Sequence, residues 1–449
     1  MDTIAQAAAA LEAGHTTARA LVDTALERIE APGGEGSRVF VRVYGEKART
    51  SADAMDLLRK AGRAPSAYAG IPVSLKDLLD VAGEVTAAGS KVLAGAKPAT
   101  RHAVVVQRLL AAGFVPVGRT NMTEFAFSGI GINPHFDTPR SPWQREENGG
   151  HVPGGSSSGA AVSVADGMAF MGVGTDTGGS CRIPAAFCGV VGYKPTARRV
   201  PTTGVLPLSP TLDSVGPLAR SVQCCATTDA VMAGEEPRTV MPIALRGLRL
   251  AVPGNLVMEG MDGAVTTAFN RALNRLDNLG VRITHMRFPQ FEAIQAANAR
   301  GGFSPAEAHA WHREMLGTKA SEYDPRVRAR IARGETLTGS EYIALLAERA
   351  RIMRSMDEAT SVYDAVAMPT VPTSPPTVAA LREDDAAFGA ANMLALRNPS
   401  LANFLDRCSI SLPCHRPGEA PAGFMLMGET MGDARVFAIA AALETVLKG

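Results

Sequence analysis

Three segments carry residues of the types that nucleophilic chemistry uses. Lys76 ends an apolar run in GIPVSLKDLLDVAG at 70–83. Three serines stand between a glycine pair and a single glycine in VPGGSSSGAA at 152–161. Ser180 directly follows two glycines in GVGTDTGGSCRIPAAFCGVVGYKPT at 172–196. A serine hydroxyl becomes a good nucleophile when a base takes its proton, and a lysine can be that base if burial keeps it neutral.

Each segment alone permits more than one interpretation. Lys76 could be an ordinary exposed lysine at a strand end, which is the commoner fate. The glycines before Ser180 leave backbone N–H groups free to converge as an oxyanion hole requires, but they also fit a simple turn between two apolar strands.

The serine-rich segment 152–161 has three interpretations. A phosphate cradle is disfavoured because the Lys-Ser/Thr ending of a P-loop is absent. Gly155 to Gly159 formally fits G-x-S-x-G, but a nucleophile elbow needs a buried strand before it, and ENGGHVPG is not one. The third interpretation is a helix N-terminus that faces an active site.

Taken together, the three segments resemble the amidase signature family, which includes fatty acid amide hydrolase. The resemblance rests on GIPVSLKD, PGGSSSGA and GTDTGGSCRIPAAFCGVVGYKPT, and on the order and spacing of Ser156 and Ser180. PTTGVLPLSPTLDSVGPLARSV at 201–222, TNMTEF at 120–125 and NFLDRCSISLP at 403–413 extend it over most of the chain. This chain departs from the family pattern at Ser158, in a longer 141–153 segment, and at Asp406 and Cys408.

The resemblance implies a Ser–Ser–Lys site without cofactor or metal. Its catalytic residues would be Lys76 as base, Ser156 as proton relay and Ser180 as nucleophile. The implied oxyanion hole consists of the backbone amides of Thr177, Gly178, Gly179 and Ser180. Ala126 and Phe127, in NMTEFAFSG at 121–129, would contact the substrate.

The proposed chemistry sets requirements on the surroundings of Lys76. A free lysine has a pKa of about 10.4, so a neutral amine at pH 7 needs burial away from any carboxylate. We therefore expect Lys76 to be buried and unpaired, with Asp77 pointing away as strand alternation suggests. Asp176 and Arg182 should brace the glycine turn.

The elements that position these residues alternate between helices and strands. Helices are predicted over the first 30 residues, at about 46–61 and at 433–447, and Thr338 with Glu341 predicts a capping box. We expect an α/β fold: a single large domain over 1–449 with a mixed, mostly parallel, twisted sheet covered by helices on both faces. Its parts would be a helical segment (1–62), a catalytic core (63–222) and a sheet-completing part (223–449).

Composition limits the classes of partner and substrate that we expect for this protein. Lys plus Arg number 45 against 44 Asp plus Glu, so no electrostatic feature favours nucleic acid or a membrane surface. Six cysteines without C-x-x-C spacing, and no signal-peptide or membrane-spanning pattern, favour a cytoplasmic protein. A small soluble amide is the expected substrate, since aromatic residues make up only 5%. Relatives suggest a possible homodimer.

Three alternatives remain open at this point. The chain could be the glutaminase (A) subunit of a tRNA-dependent amidotransferase, although RRVPTTGVLPL at 198–208 resembles a general amidase more closely. It could be a non-catalytic scaffold on the same fold, which the intact Lys76, Ser156 and Ser180 disfavour. An α/β-hydrolase that pairs Ser157 with His415 is the most distant possibility.

Overall fold

A central sheet organises the chain. A computed structural model describes residues 3–447, and within them eleven strands form one sheet. The strands are β1 (Phe40–Val43), β2 (Pro72–Lys76), β3 (Val115–Thr120), β4 (Met171–Asp176), β5 (Val191–Lys194), β6 (Ser214–Ala219), β7 (Arg249–Pro253), β8 (Arg282–Met286), β9 (Ala365–Pro369), β10 (Ser409–Pro413) and β11 (Gly423–Met427). Their order across the sheet is β1-β3-β2-β4-β6-β5-β10-β11-β9-β7-β8.

Helices cover this sheet. They are α1 (Ile4–Glu12), α2 (Ala18–Glu30), α3 (Gly36–Val39), α4 (Gly45–Lys60), α5 (Val104–Ala111), α6 (Ser158–Ala165), α7 (Arg182–Cys188), α8 (Val222–Ala233), α9 (Gly263–Asn278), α10 (Pro289–Ala297), α11 (Phe303–Lys319), α12 (Pro325–Ala332), α13 (Gly339–Thr360), α14 (Val378–Arg382), α15 (Asp385–Arg397), α16 (Pro399–Phe404) and α17 (Asp433–Leu447). Within residues 3–447, none of them has both the length and the apolar character that crossing a bilayer requires.

The strand directions correct one expectation. The α/β class and the mixed sheet are confirmed, but the sheet is not mostly parallel. Only β2 with β3, β2 with β4, β7 with β8 and β7 with β9 pair in parallel. The other six pairings are antiparallel. The central strands β6, β5, β10 and β11 account for this difference, because residues 414–422 join β10 directly to β11 without a crossover helix.

Local signals place several helix ends. Thr338 and Glu341 form the predicted capping box at the start of α13. The helix predicted over the first 30 residues is instead two helices, α1 and α2. Gly14, at a φ of +69°, lies just after α1, and the Thr17 side chain accepts a hydrogen bond from Ala20 N to begin α2. Met1 and Asp2 lie outside the described residues.

Two parallel strands in contact carry the candidate site. Every residue of β2 and of β4 is buried, and Leu75 of β2 is in register with Val173 of β4. A Cβ at Gly172 of β4 would lie 2.8 Å from the carbonyl oxygen of Ala160 in α6. Glycine at this position therefore lets α6, which follows the three serines, lie directly against β4.

Candidate active site

Lys76 lies at the end of β2 among three hydroxyl groups. Its Nζ donates to Ser156 Oγ at 2.7 Å, to Ser157 Oγ at 3.0 Å and to Thr175 Oγ1 at 2.9 Å. The side chain is 0% exposed, and none of the ion pairs within residues 3–447 includes it. The predicted burial and the predicted absence of a carboxylate partner are thus confirmed.

The surroundings of Lys76 favour its neutral form. Burial lowers the pKa of the Lys76 amine to about 7, against the opposing charges of Asp176 and Asp213. Asp77 next to it turns away, as predicted, and accepts hydrogen bonds from Arg119 Nε at 2.7 Å and Gly89 N at 3.0 Å. The carboxylate adjacent in sequence is thus bound to a different cation.

A backbone hydrogen bond holds the segment of Ser156 against that of Ser180. The N–H of Ser157 donates to the carbonyl oxygen of Ser180 at 3.2 Å, so the two segments are hydrogen-bonded. The side chains of Ser156 and Ser180 make no hydrogen bond with each other in this structure, although the one between Lys76 and Ser156 is formed. Ser180 is 3% exposed and Ser156 is fully buried. Catalytic hydrogen bonds are often long without substrate and shorten when it binds.

A buried ion pair braces the loop that leads to Ser180. Asp176 accepts from Gly179 N at 2.8 Å, from Cys181 N at 3.1 Å and from Arg182 Nη2 at 2.8 Å. Burial alone would raise the pKa of Asp176, but the Arg182 guanidinium holds this pKa well below its usual range. The predicted bracing role of Asp176 and Arg182 is confirmed.

This bracing corrects the predicted oxyanion hole at one residue. The Gly179 N–H is not free, because it already donates to Asp176. The N–H groups of Thr177, Gly178 and Ser180 have no acceptor within residues 3–447. Gly179 instead supplies the turn, with a φ of +128° that favours glycine. Three N–H donors of the predicted oxyanion hole thus remain without an acceptor in the described part of the chain, and their role stays a prediction.

A cavity of about 230 Å³ lies beside the end of β4. Its wall includes Thr175, Thr202, Val205, Pro207, Pro210 and Asp213. Thr175 thus connects the cavity to Lys76, since its Oγ1 accepts from the amine. Thr177 Oγ1 donates to Asp213 Oδ1 at 2.5 Å, and burial raises the pKa of Asp213 to about 6.

The segment predicted to contact substrate lies against the serine loop. Gly155 N donates to Gly129 O at 2.8 Å, and Thr123 N donates to Ser156 O at 3.1 Å. Ala126 is buried with a φ of +60°, and the Phe127 carbonyl accepts from Arg330 Nη1 at 2.7 Å. These contacts place the segment beside the site, and substrate contact by Ala126 and Phe127 stays a prediction.

Two groups around Lys76 were not predicted as part of the site. Ser157 was considered only as an alternative nucleophile, and Thr175 was not considered. Strand periodicity could have found Thr175, because residues at two-residue spacing share a face of β4. Ser157 donates its hydroxyl hydrogen to Thr175 O at 3.2 Å, whereas His415 hydrogen-bonds to Ala422. This geometry excludes a Ser157–His415 pair.

The departures from the family pattern lie around the catalytic groups rather than among them. Ser158 Oγ donates to Asn121 O at 3.4 Å and does not contact Lys76. The longer segment 141–153 contacts other parts of the chain, such as the Phe187 carbonyl through Ser141. Within residues 3–447, no group of three His, Cys, Asp or Glu side chains is arranged to hold a metal ion.

Comparison with known proteins extends these observations. The sequence profile of the family described as Amidase matches residues 20–437. The chain is 35% identical to 2-amino-5-chloromuconic acid deaminase of Comamonas testosteroni, covering 99% of this chain and 96% of that protein. It is 33% identical to the A subunit of glutamyl-tRNA(Gln) amidotransferase from Chloroflexus aggregans, covering 99% and 96%.

Solved structures of amidases are also similar to this chain. A crystal structure described as an amidase matches with a TM-score of 0.89 at 31% identity, covering 99% of this chain and 100% of that one. The peptide amidase of Stenotrophomonas maltophilia matches with a TM-score of 0.79 at 25% identity, covering 99% and 96%.

Proposed function

Because the chain belongs to the amidase family, we propose that Lys76, Ser156 and Ser180 carry its amide hydrolysis as base, proton relay and nucleophile. The chain is an amidohydrolase, an enzyme that cleaves carbon–nitrogen bonds in small carboxylic amides. The observation that supports the assignment of residues is the buried Lys76 amine, unpaired with any acid and 2.7 Å from Ser156 Oγ.

The first half of the reaction forms an acyl-enzyme. Neutral Lys76 takes the proton of Ser156 as Ser156 takes that of Ser180, and Ser180 Oγ forms a bond to the amide carbon. The carbonyl oxygen becomes an oxyanion that the N–H groups of Thr177, Gly178 and Ser180 stabilise. The proton returns from Lys76 through Ser156 to the nitrogen, the carbon–nitrogen bond breaks, and ammonia or an amine leaves.

The second half consumes water. The relay removes one proton from a water molecule, whose oxygen bonds to the acyl carbon. When the second oxyanion collapses, the bond to Ser180 Oγ breaks and the proton returns to Ser180 through Ser156. The product is a carboxylic acid, and Lys76 is again neutral.

The decisive experiment compares serines that differ only in their contacts. Ser180→Ala, Ser156→Ala and Lys76→Ala should each lower ammonia release from small amides by about 10³-fold or more. Ser158→Ala is the matched control, since Ser158 is equally buried but contacts Asn121. Full turnover by Ser180→Ala would contradict the assignment, and an inactive wild type across the screen would favour the scaffold or the amidotransferase alternative.

Arg330 supports an acidic substrate. Burial lowers the pKa of its guanidinium to about 10, and its hydrogen bond goes to the Phe127 carbonyl rather than to a carboxylate. A partly buried cation beside the predicted substrate segment suits a substrate carboxylate. The relative that deaminates 2-amino-5-chloromuconic acid bears a name that specifies an acid. We therefore propose that the acyl part of the amide carries a carboxylate.

A pair of amides of similar size tests the acidic-substrate proposal. Arg330→Met should raise KM for succinamate by about 10-fold or more, the value of a charge-assisted hydrogen bond, and leave KM for butyramide nearly unchanged. An equal change for both amides would indicate general damage and contradict the proposal.

The alternative role, as one component of a tRNA-dependent amidotransferase, is favoured by the similarity to the Chloroflexus protein. A free-standing amidase should hydrolyse simple amides when purified alone, whereas an amidotransferase component should need its partners. We propose the free-standing enzyme, as the similarity to the peptide amidase of Stenotrophomonas maltophilia supports. A homodimer stays a prediction that light scattering checks.

A further inference from the structure

We propose that Asp213 is a positioning residue for the oxyanion hole, which it holds in place through the side chain of Thr177. This inference rests on the proposed function, because it assigns a role in stabilising the oxyanion that forms when Ser180 attacks.

The contacts of the Asp213 carboxylate join two segments. Its Oδ1 accepts from Thr177 Oγ1 at 2.5 Å. Its Oδ2 accepts from the backbone N–H groups of Leu208 and Ser209, both at 3.0 Å. One oxygen thus fixes the turn 208–213, and the other reaches across to the loop before Ser180.

Thr177 depends on this contact. The side chain is 4% exposed, and its hydrogen bond to Asp213 is the only one it makes within residues 3–447. Its backbone N–H has no acceptor there and is one of the three donors left for the oxyanion. Asp176 anchors the far side of the same loop through Gly179 N and Cys181 N, and among the described residues it makes no hydrogen bond to Thr177. Two carboxylates therefore hold the loop, one at each side.

A purely structural role for Asp213 would be complete with Oδ2 alone. Closing the turn 208–213 needs only the two N–H contacts. The orientation of Oδ1 toward Thr177 adds nothing to that turn, but it fixes the residue whose N–H must lie in position before charge develops. Preorganised donors stabilise a transition state because they need not reorient during the reaction.

Variants at Thr177 separate positioning from folding. Thr177→Val keeps the shape of the side chain and removes the hydrogen bond. It should lower both kcat and the rate at which a fluorophosphonate labels Ser180 by about 10- to 100-fold, and leave KM nearly unchanged. This decrease is somewhat smaller than the one expected when an oxyanion-hole donor is removed altogether. Thr177→Ser keeps the hydroxyl and should restore most of both rates.

A double-mutant cycle tests whether Thr177 acts through Asp213. In an Asp213→Ala background, Thr177→Val should cause no further loss, because the contact is already absent. Thr211→Val is the control in the same turn: it removes a hydrogen bond to Glu307 and should leave kcat within about 3-fold.

The outcomes are distinct from those that test the proposed function. If Ser180→Ala is inactive but Thr177→Val matches the wild type, or Thr177→Ser loses as much as Thr177→Val, the role of Asp213 is overturned and the Ser180 assignment stands. Independent, additive losses in the cycle overturn it as well. If Ser180→Ala retains turnover, both proposals fail together.

Discussion

The hydroxyl groups around Lys76 limit what each of its protonation states can do. An ammonium group donates three hydrogens, whereas a neutral amine donates two and accepts one. Ser157 uses its own hydrogen on Thr175 O, so it can only accept from Lys76. The lone pair of the neutral amine must therefore face Ser156 or Thr175, and Ser156 makes the shorter contact, at 2.7 Å.

The pH dependence of activity follows from this lone pair. We expect kcat/KM for butyramide, an amide without an ionisable group, to rise with pH through about 7, where burial places the pKa of Lys76. Below that pH the amine is protonated and cannot accept from Ser156. Initial rates between pH 5 and 9 measure this limb, and Ser158→Ala should reproduce it. Constant kcat/KM down to pH 5.5 would show that Lys76 is not the base.

The parts of the site that could be predicted from sequence are those within short motifs. Lys76, Ser156 and Ser180 are marked by unusual neighbours, and Asp77 was placed correctly by strand alternation. Asp213 was not identified as a site residue, because its contact with Thr177 joins two segments and depends on how β4 pairs with β6. Thr175 contacts Lys76 through the same kind of tertiary contact, between β4 and β2.

At the scale of elements, local sequence patterns predicted where strands lie better than they predicted which strands pair with each other. Helical periodicity ends at Gly113 before β3 and at Gly280 before β8, so the local pattern marks where each of these strands begins. The antiparallel pairing of the central strands could not be found in this way. β11 reads GFMLM with every residue buried, so it lacks the alternation that marks a half-exposed strand. Strand order depends on contacts far apart in sequence, which periodicity does not report.

Close packing within β4 makes Gly174 a sensitive position. A Cβ there would lie 2.7 Å from Ser157 Oγ and 3.0 Å from Cys181 Sγ. We expect Gly174→Ala to displace Ser157 from Lys76 and lower kcat by about 10-fold or more, with a stability loss of about 1–3 kcal/mol from overpacking. Ammonia release and urea denaturation measure the two effects.

Gly317 in α11 is the matched control for that substitution. Nothing lies within 4 Å of a Cβ built there, and the residue is inside a helix. Gly317→Ala should therefore stabilise the fold by about 0.5–1 kcal/mol and leave kcat unchanged. Opposite signs for the two alanines would trace the Gly174 effect to crowding, whereas equal losses would contradict it.

At the scale of the molecule, the braced loop joins distant parts of the chain. Arg182 donates to Pro399 O at 2.8 Å and to Asn403 Oδ1 at 2.7 Å, both in α16. The loop that leads to Ser180 is therefore held by residues more than 200 positions later. We propose that residues 1–449 fold as a single domain, and we expect activity and far-ultraviolet circular dichroism to be lost in one urea transition. Two separated transitions would contradict that proposal.

Keeping Lys76 neutral also has a consequence for the stability of the whole protein. Its pKa is about 7 when folded and 10.5 as a free side chain, so between these values the unfolded chain binds more protons. The free energy of unfolding should therefore rise with pH across this window, as the cost of removing the proton on folding disappears. That cost is about 4–5 kcal/mol at pH 7, the largest that the shift allows.

Lys76→Met removes this titration. We expect the variant to be inactive but more stable than the wild type at pH 7, by about 1–3 kcal/mol, because the hydroxyls that lose their donor offset part of the gain. The sharper test is the difference in unfolding free energy between wild type and variant, which should shift by about 3 kcal/mol in favour of the wild type from pH 7 to 9.5. That shift does not depend on the hydroxyls, since their cost is the same at both pH values. Urea denaturation at the two pH values measures it, and Lys91→Met, at an exposed lysine, should show no such change. A difference that stays constant between the two pH values would mean that Lys76 is charged in the folded protein, and it could not then serve as the base.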